Sequence, residues 1–112
     1  MKNQPFCMLL ALAALPLAAQ ADTGAVTIVS PADNATLNAK AENRISYDVT
    51  PGPQGDHTHL YVDGKEIAVL RELKGSYALK SLTPGPHEMC IKVVNKNHTP
   101  IGIEKCVKVK VE

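Results

Sequence analysis

The sequence predicts an all-β fold, an antiparallel β-sandwich of about seven short strands, and three observations carry that prediction. Runs rich in Val, Ile and Tyr alternate apolar with polar residues, as in Arg44-Ile45-Ser46-Tyr47-Asp48-Val49. Pro, Gly and Asn turns recur between such runs, while helix signals are nearly absent after position 22. An Asp63-Gly64 pair separates two β-prone runs, the strongest short-range signal for a hairpin. A small barrel fits the same pattern and is the second choice.

The N-terminus is set apart from this pattern. Residues 1–21 read as a secretory signal: Lys2 supplies a positive charge, residues 6–17 are almost wholly apolar, and Ala19-Gln20-Ala21 offers the small residues of a cleavage site. The apolar stretch is shorter than the roughly 20 residues that span a bilayer, so removal is expected rather than anchoring. Cys7 falls inside it, with no small residues leading into it, and is discarded on this reading. Taking 21 from 112 residues leaves 91, from Asp22 to Glu112, the size of one domain.

Composition then narrows the classes. The chain has 12 Lys plus Arg and 11 Asp plus Glu, and removing Lys2 leaves the mature part balanced. Such a balance gives no footprint for nucleic acid or an anionic membrane. The single Phe lies in the signal and there is no Trp, so the core has to come from Val, Ile, Leu and three Tyr. Cys90 and Cys106 are the remaining cysteines, an even count that predicts a disulfide in an oxidising compartment. Free thiols acting as soft metal ligands are the competing reading, disfavoured in that compartment.

Each strand follows in turn. Ala25-Val26-Thr27-Ile28-Val29 is the first, closed by turn chemistry at Pro31-Ala32-Asp33-Asn34. Residues 44–49 put Ile45, Tyr47 and Val49 on one face, and Pro51-Gly52-Pro53-Gln54-Gly55-Asp56 is a loop. A two-residue turn at Asp63-Gly64 pairs Val62 with Lys65, Tyr61 with Glu66, Leu60 with Ile67 and His59 with Ala68. Leu60, Val62, Ile67 and Val69 then make an apolar face, with His57, His59, Tyr61 and Glu66 opposite; a slip of one residue would reverse both. Residues 75–79 form a short strand with Tyr77 and Leu79 inward, and Leu82-Thr83-Pro84-Gly85-Pro86 turns into the last hairpin.

In that hairpin one register explains three pairs. If the numbers of paired residues add to one constant, the register that sets Cys90 opposite Cys106 also sets Lys92 opposite Glu104 and Glu88 opposite Lys108. Met89, Ile91 and Val93 face the core from one strand, and Ile103, Val107 and Val109 from the other. This puts the disulfide on the solvent side and leaves Lys105 as an exception near an edge.

Leu82-Thr83-Pro84-Gly85-Pro86-His87, an alternating strand and Asn95-Lys96-Asn97-His98 together resemble bacterial immunoglobulin-like or fibronectin type III-like domains, over residues 25–112. His57-Thr58-His59-Leu60-Tyr61-Val62-Asp63-Gly64 is similar to small periplasmic domains with a His-rich strand before an Asp-Gly turn. The resemblance implies an immunoglobulin-like sandwich, without the tryptophan and intersheet disulfide of antibody domains. It also implies that the strand starting at His57 runs antiparallel beside the one starting at His87.

Function has to be sought among the four histidines. His57 and His59 are two apart, so on a strand they point the same way, about 6–7 Å apart along the chain. In the implied topology the start of their strand approaches the turn at residues 95–100, which gathers His57, His59 and His98 at one end and leaves His87 at the other. Three imidazoles suit copper, zinc or nickel, with Asp56 as a fourth ligand or an acceptor behind a histidine. The bland alternative is solvated β-surface, with His98 capping a polar turn. Met89 alternates with core residues, so no thioether site for Cu(I) is expected.

No motif for catalysis is present: no Gly-x-Ser-x-Gly, His-Glu-x-x-His or Cys-x-x-Cys. Tyr61 is the one candidate for an exposed sugar-stacking aromatic. Asn34-Ala35-Thr36 and Asn97-His98-Thr99 are glycosylation acceptors in a eukaryotic pathway only. The sequence therefore predicts a non-enzymatic periplasmic or secreted domain that binds copper or zinc through His57, His59 and His98. The alternative is an accessory module with a protein partner in the periplasm and no metal; Lys105, Lys108 and Lys110 would then mark a charged edge.

Overall fold

Alternating strands bury one face each, and here they do so as two packed sheets. The computed structural model describes residues 23–112; the signal reading of residues 1–21 and of Cys7 lies outside them. Eight strands occur in the order β1 (Ala25–Ser30), β2 (Ala35–Leu37), β3 (Asn43–Thr50), β4 (His57–Val62), β5 (Lys65–Leu70), β6 (Lys74–Leu79), β7 (Gly85–Val94) and β8 (Pro100–Val111). One sheet has the order β1-β3-β6 and the other β2-β8-β7-β4-β5. The result is an immunoglobulin-like β-sandwich, and the barrel alternative falls away.

The core forms where the period-two pattern placed it. Ile45, Tyr47 and Val49 of β3 face Leu60 of β4, Met89, Ile91 and Val93 of β7, and Val107, Val109 and Val111 of β8. Burying each such aliphatic side chain is worth about 1.5–3 kcal/mol. β-Branched and unbranched aliphatics thus supply the packing that Phe and Trp usually provide. Cys90 pairs with Cys106, Lys92 with Glu104 and Glu88 with Lys108, the expected register. The Cys90–Cys106 disulfide is formed, on the sheet face opposite Met89 and Ile91. Lys105 is exposed on the stretch of β8 that β2 does not reach, because β2 pairs only with Val109, Lys110 and Val111.

Two features depart from expectation. An eighth strand, β2, pairs in parallel with β8. Three residues are too few for a periodicity to show, and the turn before it is pinned from outside, by the Lys108 N–H donating to Asp33 Oδ1 at 2.8 Å. The second departure is in β5. The turn is as expected, with positive φ at Asp63 (54°) and Gly64 (83°), and Val62 pairs with Lys65 and Tyr61 with Glu66. Beyond it a bulge inserts Ile67, so Leu60 pairs with Ala68 and His59 with Val69. Ile67 and Val69 are therefore 41% and 42% exposed, while Leu70 is buried.

Among the described residues one buried side-chain group is left unmatched. Thr58, on the core side of β4, has an Oγ1 with no hydrogen-bond partner. Thr58→Val exchanges that hydroxyl for a methyl of nearly the same shape. Urea denaturation should show a gain of about 1 kcal/mol, the scale of one unmet hydroxyl. An unchanged or lower midpoint would mean that the hydroxyl is satisfied.

Candidate metal centre

The site is assembled from one strand start and one turn. In the β3–β4 loop the Gly55 N–H donates to the Gly52 carbonyl at 3.3 Å and the Asp56 N–H to the Val94 carbonyl at 2.8 Å. A Cβ on Gly55 would strike the Pro51 carbonyl, so the loop closes this tightly only with glycine there. It delivers β4 beside β7 with His57 opposite Val94 and His59 opposite Lys92. Both histidines lie on the sheet face away from Leu60, yet they are only 1% and 3% exposed. Solvated β-surface does not describe them.

His98 comes from the β7–β8 turn. Asn95 Oδ1 accepts from the N–H groups of Asn97 (2.9 Å) and Thr99 (3.1 Å), and the His98 N–H donates to the Asn95 carbonyl at 2.9 Å. His98 itself has φ 64°, a left-handed conformation that glycine or asparagine adopts more cheaply. The position holds a costlier residue than the turn alone requires.

The three rings converge at their edges. His57 Nε2 lies 3.2 Å from His59 Nε2 and 3.2 Å from His98 Nδ1, and His59 Nε2 lies 3.0 Å from His98 Nδ1. Behind two of the rings stands a carboxylate: His57 Nδ1 donates to Asp56 Oδ2 at 2.9 Å, and His59 Nδ1 to Glu66 Oε1 at 3.2 Å. A carboxylate only accepts, so these bonds place a proton on each Nδ1, and in the Nδ1–H tautomer the lone pair of each Nε2 points inward. Asp56 is thus an acceptor behind a ligand candidate and not a fourth inward group. The bond from His57 holds the Asp56 carboxyl below its usual range. Burial pushes the His59 imidazole down, against the opposing pull of Glu66.

The role of Glu66 escaped the sequence reading, although its pairing with Tyr61 already placed it on the histidine face. Tyr61 is covered, since Lys92 Nζ sits 4.5 Å from the centre of its ring.

His87 is at the opposite end, as expected. Its Nδ1 donates to Asp63 Oδ2 at 2.6 Å and its Nε2 to the Thr83 carbonyl at 2.7 Å. With both nitrogens donating, the ring is an imidazolium and cannot serve as a general base toward Thr83 Oγ1. The Asp63 bond, then the Thr83 carbonyl, raise the His87 pKa. Burial pulls Asp63 upward, but the Glu88 N–H and His87 outweigh it and leave Asp63 lowered.

This pair fixes a pH window. The raised His87 contributes stability below its ordinary value near 6.5 and loses it as pH rises through the folded value; the lowered Asp63 contributes above about 3.9. The advantage over His87→Gln, read from urea midpoints, should be greatest near pH 5.5 and largely gone by pH 9. Its size is about 1 kcal/mol or less, because Asp63 is half exposed. A difference constant across this range would mean that His87 is neutral in the fold.

Among the described residues, no helix is long and apolar enough to cross a membrane. No protein-family model matches the chain, and no curated protein matches it. Solved structures do. A fibronectin(III)-like module of Clostridium thermocellum CbhA is 20% identical with a TM-score of 0.63, over 78% of this chain and 95% of that one. The extracellular domain of a putative one component system from B. thetaiotaomicron is 16% identical with a TM-score of 0.53, over 79% and 15%. A Jonesia denitrificans lytic polysaccharide monooxygenase is 15% identical with a TM-score of 0.52, over 70% and 58%. At these identities the likeness is one of fold: the chain shares the architecture of fibronectin(III)-like modules.

Proposed function

We propose that the protein is a non-enzymatic periplasmic domain that binds copper or zinc through His57, His59 and His98. One observation carries the reading: three imidazole nitrogens within 3.0–3.2 Å of one another, two of them with their protons committed to carboxylates on the far side. In the Nδ1–H tautomer of both rings no proton bridges the two Nε2 atoms, and their lone pairs face each other. His98 can offer one N–H into the gap, which leaves that edge unmet. A cation satisfies all three at once, and the carboxylates then raise the basicity of their histidines. The disulfide supports an oxidising compartment, and the signal-like N-terminus supports export.

The test is calorimetric titration of the purified protein with Cu(II) and Zn at pH 7.5. One-to-one binding tighter than about 1 μM, a free energy near 8 kcal/mol, is expected. It should be absent from His57→Ala/His59→Ala and from His98→Asn. The last variant suits the left-handed turn, so its loss of binding cannot be blamed on misfolding. Weak heat without stoichiometry, or equal binding by all proteins, would sink the metal reading. The protein-binding alternative would then rest on the groove of about 460 Å³ lined by Val62, Ile67, Tyr77, Leu79 and Leu82.

A further inference from the structure

We infer that the three histidines form a pyramidal cap which leaves the bound ion a coordination position open to a donor from outside the chain. This rests on the metal reading and adds what such a site would do. The triangle of nitrogens has edges of 3.0, 3.2 and 3.2 Å. A point in its plane is only about 1.8 Å from each nitrogen, shorter than the roughly 2.0–2.1 Å of a zinc–imidazole bond. The ion therefore stands about 1 Å off the plane, with N–ion–N angles near 100°. A square-planar site would need one pair of nitrogens about 4 Å apart across the metal, and no pair here approaches that.

A cap of this shape is completed by ligands on its far side. Among the described residues no further His, Cys, Asp or Glu joins the three within ligand distance. Asp56 and Glu66 are held behind the rings by the Nδ1 protons, facing away from the ion. His98 is the exposed member of the three, while His57 and His59 are buried, so a donor from outside approaches on the side of the His98 turn. Closed structural zinc sites have four protein ligands, whereas three protein ligands leave the fourth position to water or an incoming molecule. The position takes a small monodentate donor: water, an inorganic anion, or an imidazole or carboxylate presented by another molecule. A domain so built can hold its ion and still pass it on, since an incoming ligand binds before any histidine has to leave.

Co(II) is the probe, because its visible absorption reports the ligand set directly. The Co(II)-loaded protein is titrated with azide, with Zn calorimetry run on the same preparation. The expected result is a saturable change in the visible bands, one azide per ion, with no loss of Co(II) from the protein. His98→Asn should lack the original bands. Bands that azide leaves unchanged, with Co(II) bound one to one, would overturn the open position while keeping the metal site. Failure of Co(II), Zn and Cu(II) alike to bind would overturn the inference together with the reading beneath it.

Discussion

Glu66→Gln is expected to lower the affinity for Zn or Cu(II) about 10–100-fold, the usual cost of removing a partner behind a ligating histidine. The domain should remain folded. Glu66 Oε1 accepts the Nδ1 proton of His59 at 3.2 Å, and its side chain is half exposed. The substitution therefore leaves the core and the inward nitrogens in place. What it removes is the negative charge that makes Nε2 a better donor, while the amide oxygen of glutamine can still accept the Nδ1 proton and hold the ring edge. Asp56→Asn should act the same way through His57, with the shorter 2.9 Å bond giving the larger loss. Glu104, an exposed carboxylate paired with Lys92 on the same sheet, provides the control, and Glu104→Gln should leave affinity within about two-fold, as surface substitutions away from a site do. Equal behaviour of all three variants would mean that the carboxylates do not orient the ligands.

How much of this site the sequence disclosed depends on the range of the interaction. His57 and His59 point the same way because strand side chains repeat every two residues, which reads directly from the sequence. Adding His98 needed topology, namely that β4 lies beside β7, and the resemblance to immunoglobulin-like domains supplied that. Glu66 was harder. Its placement depends on the Asp63-Gly64 turn, which is legible, but its reach to His59 is a matter of side-chain conformation. The bulge at Ile67 was not legible at all: Ile67-Ala68-Val69-Leu70 is apolar throughout, so no alternation marks the inserted residue. β2 was hidden for a related reason, three residues being held by the edge of β8 rather than by any pattern of their own. Burial of His57 and His59 was missed because the alternation marks their face as outward, and nothing local reveals that a turn 40 residues on comes to lie against it.

Removing the Cys90–Cys106 disulfide separates stability from metal binding. The bond closes a loop with a sequence separation of 16, and the unfolded-chain argument assigns about 3 kcal/mol to such a closure. For a domain of this size that lowers Tm by roughly 12–24 °C, as Cys90→Ala/Cys106→Ala should show by calorimetry. Metal affinity at 25 °C should change by less than about ten-fold, under 1.4 kcal/mol. The reason lies in the ladder. β7 is held on its other side by β4 from His57–Val94 to Val62–Met89, so its position beside the histidines does not depend on the bond to β8. The turn carrying His98 is closed by Asn95, several residues beyond the disulfide. A loss of affinity as large as the loss of stability would show instead that the disulfide sets the position of His98. A stability loss below about 1 kcal/mol would show that the reduced, unfolded chain already keeps this hairpin partly closed.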